Sequence, residues 1–205
     1  MEKKLKKIMF KDKYGLTKAV LENRKTQTRR ICSLGSNTYE KAYRNLLSNY
    51  KDGACFKDEL LKCSLYKVGE EVAIAQKYSE LEYGVDWVRH SINKEHAGWN
   101  NKMFVSAEEM PHRIKITNIR IERLQDISDD DCLKEGVYYH TEPPKHHEYD
   151  RYSPWSPSVK PYKFESEKYF CSAKHAFMHL IDKVSGKGTW QSNPYVFVYD
   201  FELIR

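Results

Sequence analysis

No apolar run in this chain approaches the ~20 residues needed to cross a bilayer, so no membrane-spanning segment is expected. The basic start, Met1 to Lys7, leads only into Ile8-Met9-Phe10 as an apolar run. A secretory leader needs a longer one, and the chain reads as cytoplasmic. Cysteine is sparse: Cys32, Cys55, Cys63, Cys132 and Cys171 make five, an odd number with no Cys-x-x-Cys pair. That pattern excludes a disulfide framework and a zinc ribbon and fits reduced structural thiols. Cys171, His175 and His179 recur every four residues, but the acid of a His-Glu-x-x-His zinc helix is missing. An ordinary exposed helix face is expected there, and a plain Pro-rich loop around His146-His147. No metal and no cofactor is expected, and no internal repeat is seen.

Hydrophobic residues make up 40% of the 205, enough for a buried core, so disorder of the whole chain is excluded. The length fits one domain with sizeable insertions. The net charge of +6 is unevenly placed. Residues 1–30 hold eleven Lys or Arg against three acids, a net +8, so the remainder sums to −2. A basic segment on a near-neutral body suggests an anionic partner or a solvated terminus.

The densest part of that segment is Asn23-Arg24-Lys25-Thr26-Gln27-Thr28-Arg29-Arg30. Four cations and two hydroxyls stand in eight residues, read here as a loop after a short helix. Lys and Arg there are placed to grip phosphates. A Lys three residues before a Thr is also placed to activate that hydroxyl, because a Thr is a poor nucleophile until a base takes its proton. Neighbouring cations lower a lysine's pKa, and Arg24, Arg29 and Arg30 supply them.

Along the chain, Ile8-Met9-Phe10 reads as a strand and Leu16 to Leu21 as a helix. Val72 to Ala75 reads as a buried strand behind the turn Val68-Gly69-Glu70-Glu71. Arg113 to Ile121 is the clearest strand; the pairs Ile114/Ile116 and Ile119/Ile121 are out of phase, which predicts a bulge near Thr117-Asn118. Arg113 and Lys115 should face outward and widen the basic surface or be solvated. Ser128 is expected to cap a helix whose first turn holds Asp129, Asp130 and Asp131, with Gly136 at its end. Phe170 to Val184 recurs at helical spacing, and Tyr195 to Ile204 alternates as a strand. The segments 32–66, 84–105 and 138–168 are irregular. Trp87, Trp99 and Trp155 within them are candidates for base stacking or loop anchors, and Trp190 is expected beside the last strand. The expected class is α+β: a small β-barrel with flanking helices and loop insertions.

Four stretches carry a resemblance: Arg24 to Arg30, Val68 to Glu71, Leu124-Gln125-Asp126-Ile127-Ser128 running to Glu135-Gly136, and Asn193-Pro194-Tyr195 to Phe201. Together they resemble the ASCH family of the PUA-like β-barrel superfamily, in the larger form found in phage and prophage genomes. The resemblance implies a single ASCH/PUA-like domain over 1–205 with insertions at about 32–66, 84–105 and 138–168. PUA-like domains are associated with RNA. Some ASCH proteins are amidohydrolases on 4-N-acetylcytidine, and others are described as ribonucleases. In the amidohydrolase branch a Lys, a Thr three residues on and a Glu ending a helix carry the reaction; by motif these are Lys25, Thr28 and Glu135 here. This chain is longer than those enzymes, and Arg29 stands where the resemblance leads one to expect an apolar residue.

Three readings follow. The first is an RNA- or modified-nucleotide-binding protein whose cleft has Arg24, Lys25, Thr26, Arg29, Arg30 and Arg113 as its basic side and Glu135 opposite. The second is an amidohydrolase acting through Lys25, Thr28 and Glu135. The third is a phage protein that binds a host protein through its insertions.

Overall fold

The computed structural model describes residues 4–32, 53–81, 95–140, 161–165 and 168–204. Five strands form one sheet: β1 (Lys6–Ile8), β2 (Gln27–Ile31), β3 (Glu71–Ile74), β4 (Arg113–Arg123) and β7 (Tyr195–Ile204). A second, two-stranded sheet pairs β5 (Tyr138–Tyr139) with β6 (Tyr162–Lys163). The helices are α1 (Leu16–Leu21), α2 (Gly53–Lys62), α3 (Asp129–Lys134), α4 (Ala173–Ser185) and α5 (Thr189–Ser192). The class is α+β, as expected. The sheet order is β1-β3-β4-β7-β2, with β1 parallel to β3 and the other neighbours antiparallel. No ladder joins β1 to β2 among the described residues, so the expected barrel is not closed by strand pairing. A side chain spans that gap instead: Arg30 on β2 donates to the Met9 carbonyl just beyond β1 at 2.6 Å.

The longest strands, β4 and β7, form the spine. The ladder shifts register between Ile116 and Asn118, so Thr117 is the bulged residue that the out-of-phase isoleucines predict. On one face of the sheet Val72, Ile74, Ile114, Ile116, Tyr199 and Phe201 are buried. Phe10 closes against Phe201 with ring centroids 6.0 Å apart. Amphipathic α4 buries Ala173, Ala176, Phe177, Leu180 and Ile181, and Trp190 meets Phe177 at 6.3 Å.

Two expectations move. The first strand is Lys6–Ile8 rather than Ile8 to Phe10. The basic stretch is not a loop: from Gln27 it is edge strand β2, paired residue by residue with β7. Within 32–66 lies α2, and residues 33–52 fall outside the described part. Within 84–105, two single-turn helices, Ala97–Trp99 and Lys102–Phe104, are described. There Trp99 packs on a second small apolar cluster with Tyr78, Leu81 and Val105, which makes it an anchor. Trp87, Trp155 and His146-His147 lie outside the described residues. No helix among the described residues is long and apolar enough to cross a membrane.

A buried Lys–Glu pair and its guanidinium clamp

Local folding brings Lys25 into the core. Asn23, at the end of α1, takes a left-handed conformation with φ 58°. The chain reverses there, and the amides of Arg24 and Lys25 both donate to the Ala19 carbonyl, at 2.8 and 2.9 Å. Helix α3 arrives from the other side. The Ser128 hydroxyl accepts from the Asp131 amide, as the capping pattern predicts, and Glu135 caps the helix's C-terminus just before Gly136 at φ 104°. A Cβ on Gly136 would stand 3.1 Å from Leu16 Cδ2, a tight approach, and 3.6 Å from Lys25 Cδ, an ordinary contact, so Lys25 runs alongside this glycine.

Lys25 is 2% exposed and Glu135 4%. The Lys25 Nζ donates to Glu135 Oε2 at 2.7 Å, to the Glu135 carbonyl at 2.8 Å and to the Gln27 carbonyl at 2.6 Å. One of these acceptors is a helix-terminal carbonyl, a group that otherwise lacks a partner. Burial pushes the Lys25 amine below the usual lysine range; Glu135 opposes this, while Arg30 and Arg29 add to it. Three acceptors still match the three donors of an ammonium.

Arg29 holds the other Glu135 oxygen, Nη1 to Oε1 at 3.1 Å. The same nitrogen donates to Gln27 Oε1. Its second terminal nitrogen donates to Glu122 at 3.0 Å and to Asp131 at 3.1 Å. Arg120 closes a ring on the same two acids, at 2.5 Å to Glu122 and 2.9 Å to Asp131, and continues to Asp200 at 2.6 Å. Gln27 also donates to Asp200 at 2.6 Å. The Asp131 carboxyl sits below its ordinary pKa: burial raises it, but hydrogen bonds from Arg29 and Lys134 outweigh that.

Strand alternation separates Thr28 from this network. Gln27 and Arg29 share a face with Asp200 and Val198; Thr28 and Arg30 share the face of Tyr199 and Phe197. Thr28 is buried. Phe10 links the two groups: its ring centroid lies 5.9 Å from Lys25 Nζ and 5.7 Å from the Arg30 guanidinium carbon. Phe10 carries no sequence signal beyond its apolar character.

Of the expected basic side, Lys25 is held by the Glu135 carboxylate and two backbone carbonyls, and the terminal nitrogens of Arg29 by Gln27 and three carboxylates. Thr26 is held through its backbone, its amide on the Lys134 carbonyl at 3.0 Å and its carbonyl accepting from Phe201. Arg113 stands opposite Ile204, four residues along β7 from Asp200, and faces Glu71 at 3.6 Å; it does not join the group. Arg24 stays exposed, bonded to Glu22 and lying 5.4 Å over the Tyr138 ring. Arg120, Glu122, Asp131 and Asp200 were not anticipated as members. The signal lies in Asp200, an acid within the otherwise apolar run Val196 to Phe201, because a charge in a buried strand requires a partner.

No group of three or more His, Cys, Asp or Glu among the described residues has the arrangement to hold a metal ion. His175 and His179 have ring centroids 5.0 Å apart, and His179 lies 5.0 Å from the Phe170 ring. Burial pushes the Cys32 and Cys132 thiols up to about 12. A cleft of about 430 Å³ lies elsewhere, between β1 and the 104–109 segment, lined by Lys4, Lys7, Tyr78, His96 and Phe104. Lys25, Thr28 and Glu135 are not among its walls, so chemistry rather than concavity singles them out. Comparison with protein-family models, curated proteins and solved structures returns no match to this chain.

Proposed function

We propose that this chain is an ASCH-type protein of PUA-like architecture that hydrolyses the acyl group from a 4-N-acylated cytosine nucleoside. The observation that carries the reading is the buried contact between Lys25 and Glu135 at 2.7 Å, with the buried Thr28 three residues on from Lys25. The five-stranded sheet with Arg30 bridging its two edges supports the architectural part.

The pair suits the chemistry. At 2.7 Å the Lys25 proton passes to Glu135 in one step, leaving a neutral amine and a carboxylic acid. The amine takes the Thr28 proton as the hydroxyl oxygen attacks the amide carbonyl. The carboxylic acid gives its proton to the cytosine nitrogen as the C–N bond breaks, and water then releases the acyl group from Thr28. Burial, which lowers the Lys25 pKa, favours the first transfer. Arg29 on Glu135 opposes it by stabilising the carboxylate.

The test is release of cytidine from 4-N-acetylcytidine, followed by chromatography. The wild type and Thr28→Ser should release it and Thr28→Ala should not. No release at high enzyme concentration refutes the reading.

A second reading, binding of RNA without chemistry, draws support from Arg24, exposed and stacked on Tyr138 next to Lys25. With Arg24 and Arg30 as the cations nearest the site, counterion release gives a single-strand salt slope of only about −1.4. A much steeper slope would place the phosphate contacts elsewhere on the chain. The host-protein reading leans on residues 138–168, of which 141–160 and 166–167 lie outside the described part.

A further inference from the structure

We propose that Arg29 is a positioning residue: it clamps α3 at Asp131 and Glu135 and so presents one Glu135 oxygen to Lys25. The kinetic part of this rests on the hydrolytic reading; the geometric part does not.

Glu135 has two carboxylate oxygens with separate partners. Oε1 accepts from Arg29 at 3.1 Å and Oε2 from Lys25 at 2.7 Å. A carboxylate held by one oxygen keeps freedom to turn about its last bonds; held by both, it has one orientation. Arg29 also grips Asp131, one helical turn earlier, at 3.1 Å. Two grips on residues four apart fix the rotation of α3 about its own axis. That rotation decides where Glu135 points.

The clamp is itself anchored. Glu122 and Asp131 each accept from both Arg29 and Arg120, closing a ring of two guanidinium groups and two carboxylates. Arg120 then reaches Asp200 on β7. Strands β2, β4 and β7 are thereby tied to one helix end. A guanidinium fork makes this possible, because its two terminal nitrogens meet separate acceptors at fixed spacing; an ammonium is a single point. The Arg29 side chain is fully enclosed, and its Nε is buried without an acceptor. The site bears that cost, which shows that the two terminal nitrogens set the placement.

Arg29→Lys keeps the charge and removes the fork. With lysine-specific 15N labelling, the buried Lys25 ammonium should give a slowly exchanging NMR signal in the wild type, assigned by its loss in Lys25→Met. In Arg29→Lys that signal should exchange roughly tenfold faster or disappear, because Glu135 is then free to turn. Unchanged exchange in a folded Arg29→Lys overturns the proposal. On 4-N-acetylcytidine, kcat should fall roughly tenfold or more with KM within about twofold, since a misplaced group costs rate rather than binding. A KM effect alone also overturns it. Where Arg29→Lys does not fold, Asp131→Asn loosens the same clamp and should speed exchange in the same direction; no change there counts against the proposal. A wild type that hydrolyses nothing removes the proposed function, and the NMR result still decides the role of Arg29.

Discussion

Replacing Glu135 by Ala leaves two buried cations facing a gap. Lys25 is 2% exposed and the Arg29 side chain is fully enclosed. Removing one partner of a buried ion pair costs about 3–5 kcal/mol. Each cation keeps other acceptors here, the Gln27 carbonyl and the backbone carbonyl at 135 for Lys25, and Glu122 and Asp131 for Arg29. The low end applies, about 3 kcal/mol at pH 7. For a chain of this length that is a fall in Tm of about 6–12 °C. The deficit should depend on pH in one direction. Burial already holds the Lys25 pKa below 10.5, and Glu135 is the largest influence raising it again. Without Glu135 the folded-state value falls further, so across a wider window below 10.5 the unfolded chain binds the proton that the folded chain has released. Stability rises with pH wherever the unfolded state binds more protons. The variant therefore gains on the wild type as pH rises toward 10.5. It does not catch up, because Arg29 keeps its charge throughout. Urea denaturation of both proteins across that range, followed by circular dichroism, measures the difference. A deficit under about 1 kcal/mol at pH 7, or one that stays constant with pH, refutes this account of the pair.

Thr28→Ala takes a methyl and a hydroxyl from a buried position and should lower stability by about 1–2 kcal/mol; thermal melting checks this beside the activity assay. Gly136→Ala should cost about 1–3 kcal/mol, from φ 104° and from the new methyl 3.1 Å from Leu16 Cδ2, read as a lowered Tm. Asp131 titrates below its usual value in the fold, so its stabilisation is complete above the unfolded carboxylate pKa and is lost as pH falls through the folded one. Asp131→Asn should therefore flatten the acid limb of a stability–pH curve, and an unchanged limb would assign that slope to other carboxylates.

Local pattern revealed most of the elements. Helix α1, the Ser128 cap, the apolar stripe of α4 and the alternation of β7 all follow from spacing within one segment. So did the bulge at Thr117, which two isoleucine pairs out of phase require. Strand β2 was hidden because its cations resembled a solvated loop; they are in strand because acids more than ninety residues away neutralise them. Asp131 shows the same limit. Its place in the first turn of α3 accounts for its amide, which serves the Ser128 cap, whereas its side chain turns to Arg29 and Arg120. Partners distant in sequence leave no periodic trace. What remains legible is the anomaly itself, such as Asp200 within a buried strand.

The network is not uniformly buried, and the gradient bears on the proposed hydrolysis. At one end Arg120 and Asp200 keep 31% and 26% side-chain exposure; at the other Lys25, Glu135 and Arg29 keep 2%, 6% and none. Half-exposed ion pairs cost little to hold. A sealed one is commonly no more stable than an apolar filling of the same volume, because desolvation offsets attraction. Fold stability therefore explains the Arg120 end and leaves the Lys25 end unexplained. A triple variant, Lys25→Met with Arg29→Met and Glu135→Leu, replaces that end with apolar side chains of similar size and leaves Arg120 to neutralise Glu122 and Asp131. It should fold with a stability within about 1 kcal/mol of the wild type, or above it, while losing hydrolysis completely. A loss of more than about 3 kcal/mol, comparable to Glu135→Ala alone, would mean that the sealed charges specify the fold, and the case for a reactive pair would fall with it.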